Sequence, residues 1–174
     1  EFLPALKKID GVRHVQIFAT KPGILKAKGE IEGIVVKGVG SDFDWSFFEK
    51  NMREGSVIPK NDTSGKIIIS QYISKKMKLK LNDKLVVYFV QNNTSRPRAF
   101  HVGGIYETGL GEQFDQVFAF TDISVIRKLN LWEPTQAGGF EVLIDDFQQL
   151  DFITKKVNEE IGYDLSARNI KDLN

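Results

Sequence analysis

Apolar and polar positions along this chain alternate in short runs rather than in long helical stripes. The first run, His14-Val15-Gln16-Ile17-Phe18-Ala19, is rich in strand-forming residues and follows the stop signal Asp10-Gly11. Upstream of that stop, Leu3 to Ile9 reads as the last turns of a short helix. Pro22-Gly23 is expected to turn the chain. Ile24 to Lys28 and Glu30 to Lys37 would then add two strands around Gly29, giving a β-meander.

From Gly38 to Pro59 the pattern loosens. Gly38 to Asp42 reads as loop, with Asp42 or Asp44 able to cap a short helix through Trp45, Phe47 and Phe48. Asn61 to Gly65 is a polar turn before the strand Lys66 to Ile69. Ser70 can then cap a helix that brings Ile73, Met77 and Leu79 to one face. Leu81 to Lys84 turns into the strand Leu85 to Val90. Gln91 to Arg98 is polar, carries Pro97 and reads as the connection to a returning strand, Ala99 to Tyr106.

The last third repeats the mixture. Val117 to Phe120 is a strand, Asp122 can cap a helix through Ile123, Val125, Ile126 and Leu129, and Gly139 to Ile144 is a strand. Phe147 to Ile161 is an amphipathic helix closing at Gly162. Strands and helices mix without strict βαβ alternation, which predicts an α+β fold.

Composition narrows the function. The chain of 174 residues carries 24 basic and 23 acidic side chains, a net charge of +1, so no large field draws it to nucleic acid. Cysteine is absent, which removes disulfides, thiolate metal sites and cysteine nucleophiles together. No apolar run reaches the roughly 20 residues of a membrane-spanning helix. A start within a helix, at Glu1 rather than Met, suggests a piece of a longer protein.

Candidate chemistry is sparse. His14 and His101 have no second ligand at metal spacing, and Asp42-x-Asp44 and Asp145-Asp146 lack the further oxygens of a calcium loop. Gly38-x-Gly40 and Gly109-x-Gly111 continue into neither a dinucleotide fingerprint nor a phosphate loop. Ser41, Ser46 and Ser70 lack a nucleophile-elbow setting. The aromatic residues stand among acidic ones, as in Asp42-Phe43-Asp44-Trp45, which suits packing better than base stacking. Lys75 to Lys80 reads as the solvated side of a helix. No catalytic residue, cofactor or metal ligand is expected, and the chain is read as a non-enzyme.

Several segments, in order, resemble the periplasmic core domain of ABC-transporter permeases of the lipoprotein-releasing and macrolide-exporter type, the FtsX-like family. They are Ala5-Leu6-Lys7-Lys8-Ile9-Asp10-Gly11-Val12, Val35-Val36-Lys37-Gly38-Val39, Arg53-Glu54-Gly55 and the stretch from Ile67 to Leu85. The most specific is Phe100-His101-Val102-Gly103-Gly104-Ile105-Tyr106 with the following Gly109-Leu110-Gly111-Glu112-Gln113-Phe114-Asp115. The resemblance implies mixed sheets in a discontinuous porter-like lobe, residues 1–37 and 108–174, with an inserted small β-rich lobe, residues 38–107.

It also implies a place at the periplasmic face of the bacterial inner membrane. The domain would transmit motion driven by a cytoplasmic ATPase subunit, beside a second permease subunit, and handle a lipoprotein or amphipathic cargo. The candidate partner-contact tip is Asn92, Asn93, Thr94, Arg96 and Arg98. It is shorter than the family's chaperone-hooking loop, so direct chaperone capture is not expected. The alternative is a stand-alone ligand- or peptide-binding adaptor.

Overall fold

Residues Val12 to Ala27 form one uninterrupted strand, β1, where a turn at Pro22-Gly23 is expected. In the computed structural model, which describes residues 2–173, Pro22 pairs with Val35 and Gly23 with Ile34 in a continuous antiparallel ladder to β2, Glu30–Val39. Gly23 serves packing rather than turning: a Cβ there would lie 2.6 Å from Val87 Cγ1 and 3.2 Å from Phe89 Cδ1. The chain reverses instead at Lys28-Gly29, both in the left-handed region. The expected meander of three strands is thus a hairpin of two long ones.

The remaining strands are β3 (Met52–Gly55), β4 (Lys66–Ser70), β5 (Lys84–Gln91), β6 (Thr94–Tyr106), β7 (Phe118–Asp122) and β8 (Gly139–Ile144). Arg53-Glu54-Gly55, which the resemblance takes as a short turn, belongs to β3 because Glu54 pairs with Ile105 and Gly55 with Gly104 of β6. The helices are α1 (Leu3–Lys7), α2 (Ser46–Lys50), α3 (Gln71–Met77), α4 (Glu112–Val117), α5 (Ile123–Asn130) and α6 (Leu150–Glu160). The fold is α+β with mixed pairing: β2 with β7 and β4 with β6 run parallel, while β1 with β2 and with β5, β3 with β6, β4 with β7 and β5 with β6 run antiparallel.

Contacts divide the chain into two units, Ile17–Gly139 and a discontinuous one made of the residues up to Gln16 and from Phe140 onward. These units are bounded differently from the lobes the resemblance implies, 1–37 with 108–174 and 38–107. At 38 the chain is still in β2, whose Gly38 and Val39 pair with Thr121 and Asp122 of β7, so the backbone does not leave the sheet there.

In the larger unit the strands close a ring in the order β1, β2, β7, β4, β6, β5 and back to β1. One core, which includes Leu25, Val36, Ile67, Ile69, Val87, Phe89 and Val102, joins Ile73 and Met77 of α3. Each such side chain, fully buried, contributes about 1.5–3 kcal/mol. β4 is apolar on both faces: Ile68 points the other way, into an aromatic cluster with Phe48, Tyr106 and Phe120. Two serine and aspartate caps start the helices as the sequence predicts. Ser70 Oγ accepts from Ile73 N–H at 3.1 Å, and Asp122 Oδ1 from Ser124 N–H at 2.9 Å.

The smaller unit packs α1, the first residues of β1, β8 and α6 around Leu6, Val15, Ile153 and Val157. Gly11 has φ +91°, and a Cβ there would meet Ile153 Cδ1 at 2.9 Å, so the predicted stop is also a close approach. The expected helix Phe147 to Ile161 begins with a 3₁₀ turn, Phe147–Gln149, capped by Asp146, before α6.

Candidate partner-contact site

The β5–β6 hairpin carries the residues singled out for partner contact. Its turn is only Asn92-Asn93, with φ of 52° and 60°. Two successive left-handed residues make the tight hairpin turn whose twist matches that of paired strands, and asparagine tolerates that conformation. The connection expected over Gln91 to Arg98 is mostly strand. Gln91 pairs with Thr94, Phe89 with Arg96 and Val87 with Arg98. Polarity suggested a loop, but a ladder is held by backbone groups and accepts polar side chains on its rungs.

Asn92, Asn93 and Thr94 are exposed, while Arg96 and Arg98 are half-buried on the face they share with Phe89 and Val87. They do not form a free fork at a loop tip. Arg98 donates from Nη1 to its neighbour Pro97 O at 2.9 Å. Arg96 turns its Nε–H inward, where it is buried without a hydrogen-bond partner. Its charge reaches Lys21 of β1, whose ammonium is lowered from its usual pKa by burial first and by Arg96 second. Lys21 Nζ donates to Asn130 Oδ1 at 2.7 Å, at the end of α5. The reading of Pro22-Gly23 as a turn hid Lys21. The signal that finds it is strict alternation with Gly23 and Leu25.

The other candidates have structural employment. Asp44 Oδ1 accepts from Ser46 N–H and Oγ–H, Asp42 Oδ2 from Ile17 N–H, and Asp146 Oδ1 from Gln148 N–H. His101 sits in β6 between Lys84 and Lys66, and His14 lies in β1. Among the described residues, no three His, Cys, Asp or Glu side chains are placed to hold a metal ion. In the basic run, Lys76 Nζ meets Glu32 Oε2 at 2.6 Å, and that hydrogen bond raises the lysine pKa. Among the described residues no helix is long and apolar enough to cross a membrane.

No family model matches the chain, and no curated protein matches its sequence. Solved structures do. The extracellular domain of the noncanonic ABC-type transporter YknZ from Gram-positive bacteria is similar over 91% of this chain and 81% of its own, with TM-score 0.59 and 18% identity. The periplasmic region of MacB from Actinobacillus actinomycetemcomitans is similar over 91% of this chain and 70% of its own, with TM-score 0.60 and 17% identity. At such identities the likeness is one of fold: this chain has the mixed α+β fold of these two transporter domains.

Proposed function

We propose that this chain is the extracytoplasmic domain of an ABC-transporter permease, of the lipoprotein-releasing type, at the periplasmic face of the bacterial inner membrane. The observation that carries this reading is the fold, shared along most of the chain with domains of two ABC-type transporters. In this role the domain performs no chemistry. It relays motion from a cytoplasmic ATPase subunit through the full-length permease, beside a second permease subunit, and handles a lipoprotein or amphipathic cargo. The hairpin end, Asn92, Asn93 and Thr94 with Arg96 and Arg98 on the adjoining rungs, is the contact point for a partner.

Topology of the parent protein tests the reading. It should sediment with inner membranes, and protease added to spheroplasts should cleave it. A parent found wholly in the cytosol would overturn the proposal, and a parent free in the periplasm would favour the stand-alone adaptor. The hairpin is tested separately by changing Arg96 and Arg98 to Ala in the intact transporter. Lost transport with an unchanged melting temperature supports the contact, and full transport removes it.

A further inference from the structure

The face of the ring that buries Leu25, Val87 and Phe89 turns cationic toward the β5–β6 turn. Lys21 shares its side of β1 with Gly23 and buried Leu25. Arg96 stands opposite buried Phe89, which pairs on its other side with Gly23. Gly23 puts no side chain on this rung, so nothing from β1 stands between the two cations there. Two buried polar atoms nearby lack partners: the Arg96 Nε–H, a donor, and Gln91 Oε1, an acceptor diagonal to it on the same face. Lys21 spends one ammonium proton on Asn130 and keeps two.

Two half-buried cations within electrostatic reach repel, and a buried donor and acceptor left without partners are each unfavourable. One ligand would relieve all of this if it carried two negative charges, several acceptor oxygens and a hydroxyl. A carboxylate has no proton to give Gln91. Phosphate near neutral pH has the charge and the oxygens, and its protonated oxygen is a donor. We propose that Lys21 and Arg96, with Gln91 and Asn130, form a binding site for a phosphate group. The Arg96 fork holds two oxygens in parallel, Lys21 supplies a point charge, and Gln91 takes the phosphate hydroxyl. The proposal does not depend on the permease reading, and its test uses the isolated chain.

The test follows the Arg96 Nε–H resonance while inorganic phosphate, glycerol phosphate or acetate is titrated into the purified protein. A saturable shift at millimolar inorganic phosphate is expected, weakened at least about tenfold, ~1.4 kcal/mol, in Lys21→Met. Glycerol phosphate, whose dianion has no phosphate hydroxyl for Gln91, should bind more weakly than inorganic phosphate, and equal binding of the two would overturn the role of Gln91 in the site. A second variant, Asn130→Asp, places a carboxylate beside Lys21. It should raise the melting temperature and abolish phosphate binding. No saturable shift with either phosphate, acetate binding as tightly, or unchanged phosphate affinity in Asn130→Asp overturns the site.

Discussion

Single residues decide where this chain bends and where it does not. Gly23 and Gly33 both sit in the β1–β2 hairpin, yet only Gly23 is crowded, by Val87 and Phe89, while a Cβ on Gly33 meets nothing within 4 Å. Gly23→Ala should therefore lower stability by about 1–3 kcal/mol through overpacking. Gly33→Ala should be neutral or stabilise by up to about 1 kcal/mol, because it removes freedom from the unfolded chain. Denaturant midpoints for the pair check this, and equal effects would show that the ring is not packed as described. Tyr106 makes a second residue-scale case. It is fully buried, its hydroxyl donates to Phe118 O at 2.6 Å, and burial first, then the Asp115 carboxylate, push its phenol pKa far up. The folded state thus holds this proton more tightly than the unfolded chain. That stabilisation is complete below about pH 10 and is lost as pH rises above it. Stability should fall above about pH 10 in the native protein and fall less in Tyr106→Phe; an identical fall in both would remove Tyr106 as the cause.

At the level of elements, the sequence reading succeeded where local chemistry decides and failed where partners across the sheet decide. The caps at Ser70 and Asp122, the strand Lys66 to Ile69 and the α+β class follow from side chains that act within a few residues of themselves. Pro22-Gly23 carries a strong local turn signal, but β1 has partners on both sides at Gly23, Ile34 in β2 and Phe89 in β5, and two ladders outweigh one dipeptide. The same cause moved the hairpin tip. Polar residues from Thr94 to Arg98 hold their places through backbone pairing to β5, so their side chains gave no strand pattern. The repulsion between Lys21 and Arg96 was invisible for a further reason: it joins residues brought near each other only when β1 and β6 flank β5.

The larger unit behaves as a ring, and a ring stands or falls together. Each of its six strands has a neighbour on either side, so freeing any one breaks two ladders. Amide exchange in the ring portions of β1, β2, β4, β5, β6 and β7 should therefore report one common opening free energy under native conditions. Exchange in β7 faster by orders of magnitude than in β5 would show that the ring opens at a seam. β7 is also the last of these strands to emerge in the sequence, and it alone joins β2 to β4. Until it arrives, the nascent chain is an open sheet with two bare edges. Bare edges are templates for pairing with another copy, so a pause in synthesis before the residues up to Asp122 should raise the fraction of the protein that aggregates.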